Sequence, residues 1–441
     1  MDTQTGSSGT GLTKGSTVGI LASTVVAAVS TLAITMVAYR GLSQDGDATK
    51  YADFMVFWAL LFGVYGVVVG VQNEATRAVG TCARQVEEGR RVRPGPRVVW
   101  AALLLASATA GVLVVASPWW GPRLVPASMP GVVPAVAVGV ILYAVYEFVL
   151  GSASGMRQWS VYSLMVSGDG VIRLLLVASV AFMGLGLLAF EVACVVATFF
   201  CLVLAVLFPR GRRVLVARGD VGWIRLLRNN LLSCVSSAST AILITAFPAI
   251  IKLTAGAESA AVLGGTITAI SLTRSPILMP LQAFQGVAIT AFLREQGNVF
   301  RLLLKPVMLL CVIGVPASAL AGLVGPWAMG LLYGSAITAG PWTFVGLTLA
   351  AIPLAVVTLT GTAAVACNAH VWFSAGWFTA AVVASALLFL PVGLPTRVCV
   401  GLFTGPLVGM LIHLEGIRRT RDAAIMRATA VVLGQRGELR P

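Results

Sequence analysis

Pro209-Arg-Gly-Arg-Arg-Val-Leu-Val-Ala-Arg-Gly-Asp-Val-Gly-Trp-Ile-Arg-Leu-Leu-Arg-Asn-Asn230 is the stretch on which the reading of this chain turns. It carries six arginines, and it separates two long tracts of almost unbroken apolar sequence. A membrane helix needs about 20 apolar residues. Runs of about that length recur before the basic segment at 18–38, 54–71, 98–116, 132–150, 164–183 and 187–208. After it they recur at 231–251, 260–291, 302–324, 343–365, 371–392 and 398–414. The expectation is an all-α integral membrane protein of about 12 transmembrane helices, six on each side of the segment. The parts are residues 1–208, a basic cytoplasmic linker at 209–230, residues 231–414, and a basic tail at 415–441.

Composition agrees. The 441 residues are 58% hydrophobic and only 10% charged, with a mean hydropathy of +0.93. Soluble domains carry about 25% charged residues, so neither an ordinary soluble enzyme nor a disordered chain fits. Seven scattered cysteines form no C-x-x-C pair and read as small packing residues. With His370 and His413 as the only histidines, no zinc-type cluster can be built, and no metal or other cofactor is expected.

Charge placement sets the expected orientation. With the N-terminus inside, 24 of the 30 cations fall in cytoplasmic segments and five outside, leaving Arg274 within a span. The positive-inside rule then puts both termini in the cytoplasm of a multi-pass plasma (inner) membrane protein. The net charge of +14 is explained by orientation and calls for no nucleic-acid partner. Both halves open alike, with a span ending in a cation (Arg40, Lys252) and a short external loop, which suggests a parallel internal repeat. The longest external loops, at 40–53 and 117–131, are too short for a catalytic domain; the second holds Trp119 and Trp120 among prolines, as an interfacial anchor would. The tail is either an amphipathic helix on the membrane surface or a solvated basic segment.

Ionisable groups inside spans carry the functional signal, because a charge in hydrocarbon costs about 3 kcal/mol on insertion scales. Arg274 lies near the middle of 260–291, beside Pro276, with no carboxylate within a turn. It is either a cation facing a cavity, where a guanidinium suits a phosphate, or the partner of Glu147 in the fourth span. Glu147 is in turn a proton or sodium site, a counter-ion, or a paired structural carboxylate. Gln282 and Gln285 add polar groups to the eighth span and suggest that it lines a cavity. Glu74 and Arg77 share a helix face at the edge of the second span, as do Asp169 and Arg173 in the fifth. Gly66–Gly70 and Gly151–Gly155 permit close helix approach. No P-loop or H-E-x-x-H is present, so the chain does not drive transport with ATP by itself.

Tyr51-Ala-Asp-Phe-Met-Val-Phe-Trp58 resembles the Y-G-x-F opening of the second span in bacterial polysaccharide flippases of the multidrug/oligosaccharidyl-lipid/polysaccharide exporter superfamily, with Ala52 where a glycine is usual. Tyr39-Arg40-Gly41-Leu42 is similar to the R-x-L ending of their first span. Leu331-Leu332-Tyr333-Gly334 is similar to the L-x-G element before their tenth, and Arg274-Ser-Pro276 with Gln282 and Gln285 to a pattern in their eighth. The resemblance implies two six-helix bundles around a central cavity and alternating access. It also implies a substrate of polyprenyl pyrophosphate carrying a saccharide, used in cell-surface polysaccharide assembly. Glu147, Arg274, Gln282, Gln285, Glu74 and Arg77 are the candidate substrate-contacting residues. Membrane lipids, a glycan polymerase and glycosyltransferases are the candidate partners. A cation-coupled multidrug exporter of the same fold is the alternative. Its relatives often carry an acid in the first span, and 18–38 has none. A membrane glycan polymerase or acyltransferase would need a larger external loop.

Overall fold

Hydropathy accounts for most of the helices in the computed structural model, which describes residues 14–43, 49–89, 95–125, 128–256, 258–274, 299–334, 337, 339–367 and 369–437. In chain order they are α1 (Lys14–Leu42), α2 (Thr49–Glu87), α3 (Val98–Leu124), α4 (Met129–Gly155), α5 (Trp159–Phe182), α6 (Leu187–Leu207) and α7 (Pro209–Leu215). There follow α8 (Trp223–Ile244), α9 (Phe247–Thr254), α10 (Ala260–Arg274), α11 (Val299–Tyr333), α12 (Pro341–Ala366), α13 (His370–Ala386) and α14 (Leu394–Gly437). Ten are long and apolar enough to cross a membrane, and α8 with α9 qualify together as one broken span. The expected eighth span begins with α10; its remainder, with Pro276, Gln282 and Gln285, lies outside the described residues. The chain is therefore an all-α, multi-pass membrane protein. Among the described residues there is no sheet, and one isolated antiparallel bridge joins Arg97 to Arg218.

Several expected boundaries need correction. The seventh span is not one straight helix at 231–251. It starts earlier, at Trp223, and breaks after Ile244, where the two pieces meet at 57°. Pro248, in the first turn of α9, has no N–H to offer the Ile244 carbonyl, and α8 closes on the Ala241 carbonyl, which accepts from the N–H groups of Thr245 and Ala246 (2.9 Å each). The external loop expected at 117–131 is mostly helix: α3 runs through Pro118 and Pro122, and α4 begins at Met129. Membrane helices tolerate such prolines where neighbouring groups satisfy the freed backbone; in the same last turn Arg123 donates to the Trp119 carbonyl. Both ends of the loop expected at 40–53 are helix, since α1 runs through Leu42 and α2 begins at Thr49. Within the basic segment 209–230, α7 and the start of α8 occupy much of the length.

The two longest helices greatly exceed the hydrocarbon thickness of about 30 Å. At 1.5 Å per residue, the 39 residues of α2 reach about 58 Å and the 44 residues of α14 about 66 Å. The basic tail is thus a continuation of the last span as far as Gly437.

The chain packs as two compact units. The first comprises 14–37, 68–117 and 130–234 of the described residues. Its core includes Phe148, Val177, Phe190 and Cys194, all fully buried. Gly70 of α2 lies so close to α8 that a Cβ would stand 2.3 Å from the Cys234 nitrogen, so only glycine fits. The second unit comprises 38–67, 118–129 and 235–437. α12 is its centre and is mostly buried, and Leu303, Leu359, Ala363 and Ile417 form one of its apolar clusters. Gly66 lies on Ala241 in the same close manner.

Candidate functional site

In the first unit, the helix that continues the second span positions Glu74 and Arg77 one turn apart. Arg77 grips the buried Glu74 with two bonds, Nε to Oε2 at 2.8 Å and Nη2 to Oε1 at 2.7 Å. The other edge of the same guanidinium grips Asp220 with two more, at 3.0 and 3.1 Å. Asn229 of α8 donates to Glu74 at 3.2 Å. The helix-face pair expected from the sequence is therefore real, and it is also a staple holding the segment after α7 against α2. A carboxylate and a guanidinium so fully engaged have little left for a ligand.

Asp169 and Arg173 form a buried ion pair at 2.7 Å. Arg173 also donates to the Cys194 carbonyl (3.1 Å) and to Thr198 (3.3 Å), and Thr198 donates to Asp169 (3.2 Å). This closed network between α5 and α6 satisfies both charges, as a structural pair must. Glu147 of α4 differs. It is 2% exposed, its carboxyl is hydrogen-bonded by Tyr143, and its Oε2 has no partner among the described residues.

In the second unit, Arg274 is the last described residue of α10. It is 5% exposed, donates from Nη1 to the Leu243 carbonyl at 3.2 Å, and keeps Nη2 without a partner among the described residues. The acceptor is the carbonyl just before the break between α8 and α9, so the break leaves a peptide oxygen free to receive the guanidinium. Glu147 and Arg274 belong to different units.

The same unit brings together residues that sequence reasoning quoted singly. Tyr39 of α1, Tyr51 of α2 and Tyr333 of α11 form one aromatic cluster, with ring centroids 5.3, 5.7 and 6.2 Å apart. The Tyr51 and Thr268 hydroxyls lie 3.1 Å apart. Asp53 of the Tyr51 stretch pairs with Lys252 at 3.5 Å. Gly334 closes α11 with φ of +68°. His413, fully buried, donates from Nε2 to the Phe373 carbonyl (3.0 Å) and meets Thr360 at Nδ1 (3.1 Å). Asp220, Asn229, Thr198 and Thr268 were not singled out from the sequence; each acts across a long separation that leaves no periodic signal. Among the described residues, no three of His, Cys, Asp and Glu come together as a metal-binding group.

No family model matches this chain. Two proteins of Mycobacterium tuberculosis are similar over nearly their whole length. They are uncharacterized protein Rv3630, 32% identical over 419 residues with 95% of each chain covered, and uncharacterized protein Rv1510, 30% identical over 415 residues with 93% of each covered. Among solved structures, the outward-facing and inward-facing conformations of a multidrug resistance MATE family transporter of the MOP superfamily each match with a TM-score of 0.63. They are 14% and 16% identical, cover 92% of this chain, and are themselves covered to 96% and 99%. A MOP superfamily transporter from Pyrococcus furiosus, described by the reverse polarity of its binding pocket, matches with a TM-score of 0.59 at 14% identity, covering 92% of this chain and 96% of its own. The fold is that of these transporters.

Proposed function

The chain belongs to the family that includes Rv3630 and Rv1510 of Mycobacterium tuberculosis, and from its fold we propose that it is a transporter working by alternating access. The substrate we infer is an anionic lipid-linked saccharide, a polyprenyl pyrophosphate bearing sugars, moved across the cytoplasmic membrane for cell-surface polysaccharide assembly. Arg274 carries the substrate reading. It is a buried guanidinium with a free Nη2 and no counter-carboxylate in reach among the described residues. An intramembrane cation of that kind is costly unless an anion visits it, and its planar fork suits a phosphate. The sugars and pyrophosphate would sit in the protein while the lipid tail stays in the bilayer. The basic ends of the spans, and both termini, face the cytoplasm in this reading; reporter fusions within 216–222 and 255–259 then report opposite sides.

Cation-coupled multidrug export is the second reading. It is favoured by Glu147, whose free Oε2 could meet a cation, and opposed by α1, which holds no acid along its length. Reconstitution separates the two. With the full chain in vesicles and a fluorescent polyprenyl pyrophosphate oligosaccharide as probe, Arg274→Ala should insert at normal abundance and lose transport about tenfold or more. Arg274→Lys should keep part of it, and Glu147→Gln should keep most. Normal translocation by Arg274→Ala would overturn the lipid-saccharide reading. Loss of cationic-dye efflux in Glu147→Gln alone would install the second.

A further inference from the structure

Arg97 and Arg218 face each other across the antiparallel bridge in the first unit. Val98 N–H donates to the Ala217 carbonyl (3.2 Å), and Gly219 N–H donates to the Pro96 carbonyl (3.1 Å). Those bonds join the residues on either side, so Arg97 and Arg218 themselves are a non-hydrogen-bonded pair. Opposed Cα atoms in such a pair lie about 4.5 Å apart, and their side chains leave on the same side. A third bond, Gly95 N–H to the Gly219 carbonyl at 3.0 Å, and the Arg77–Asp220 staple fix the register.

Like charges directly opposite destabilise a bridge. α3 begins at Val98 and adds its positive end beside Arg97, which raises the cost of an unanswered cation there. No carboxylate answers either arginine among the described residues. The acid next along the chain, Asp220, is held by two bonds from Arg77. Both guanidinium-bearing residues are exposed. The backbone thus forces two unpaired forks together and leaves them open to solvent. Such an arrangement is stabilised by one anion with enough oxygens to receive both forks, which is the chemistry of a phosphate.

The position indicates the source. The bridge lies at the ends of spans, where Trp100, Phe208, Trp223 and Ile224 are exposed, Ile224 to 82%. Tryptophans of this kind sit at headgroup level. The geometry points to Arg97 and Arg218 as a two-pronged clamp for the terminal phosphate of an anionic membrane lipid headgroup. The clamp needs only that the chain spans a membrane, and it stands or falls separately from the transport reading.

The full-length protein in neutral detergent at low ionic strength tests it, by thermal unfolding and by native mass spectrometry. The probes are dioleoyl phosphatidic acid, phosphatidylcholine and inorganic pyrophosphate. Phosphatidic acid should raise the wild-type melting temperature and survive as a bound adduct, whereas phosphatidylcholine should do neither. The double variant Arg97→Gln with Arg218→Gln should retain the adduct about tenfold less. Without lipid, Arg218→Gln alone should melt no lower than wild type, because it removes a repulsion. Equal adduct retention by wild type and the double variant would overturn the clamp. So would an Arg218→Gln protein destabilised equally with and without lipid, since both arginines would then be structural. Inorganic pyrophosphate matching phosphatidic acid would overturn the lipid source.

Discussion

The hydroxyls of Tyr51 and Thr268 meet at 3.1 Å across 217 residues of sequence, both side chains fully buried. The contact ties α2 to α10 inside a cluster completed by Tyr39 and Tyr333. Two separable contributions follow, one polar and one from packing. Tyr51→Phe should lower stability by about 1 kcal/mol through the lost hydrogen bond. Tyr51→Ala should cost about 3–5 kcal/mol by opening a cavity in the cluster. Thermal unfolding of the two purified variants checks this; equal losses would show that the rings contribute nothing beyond the hydroxyl.

Gly334 should tolerate no side chain. Its φ of +68° is strained for any L residue, and a Cβ there would lie 2.9 Å from the Tyr39 hydroxyl. Gly334→Ala should cost about 1–2 kcal/mol from backbone conformation alone, with the contact added. Tyr39→Phe in that background should recover the contact part and leave the backbone part. A Gly334→Ala protein that melts like wild type would remove the glycine requirement.

The Asp169–Arg173 network should behave as a structural pair. Removing one partner of a buried pair typically costs about 3–5 kcal/mol, because it strands the other charge. Arg173→Ala should therefore lose abundance. Asp169→Asn combined with Arg173→Gln should regain most of it, since both charges leave together. If the double variant is as poorly expressed as the single, the hydrogen bonds to Thr198 and the Cys194 carbonyl dominate over charge.

The spans were legible because each is a run of apolar residues with no competing period. Their ends were less so. Helix α3 passes through Pro118 and Pro122 because the last turns of a membrane helix absorb missing donors, whereas prolines in a sequence read as loop. The break at Ile244 hinged on Pro248, one apolar-compatible residue inside an otherwise continuous run. Glu74 with Arg77 and Asp169 with Arg173 were visible because helical spacing fixes their neighbours. Asp220 was not, since its partner lies 143 residues away. The three tyrosines stood in the three short stretches that carried the family likeness, yet nothing in those stretches says that the rings touch. The opposition of Arg97 and Arg218 is likewise a matter of strand register, and each alone reads as one more positive-inside charge.

Domains are commonly joined through loops, and proteins are commonly divided or recombined at those loops. Here the passages from one compact unit to the other fall inside helices, between Val37 and Ala38 in α1, Val67 and Val68 in α2, Ser117 and Pro118 in α3, Met129 and Pro130 in α4, and Cys234 and Val235 in α8. Neither unit can be exchanged with a relative's as a cassette without severing a hydrogen-bonded helix, and the surface loops that look like natural seams do not follow the division. Such a molecule should diverge as one piece. Chimeras joined at the 208–222 connector would build the second unit from two parents, 38–67 and 118–129 from one and 235–437 from the other, whereas chimeras that keep α1 to α4 and α8 from one parent would preserve every passage intact.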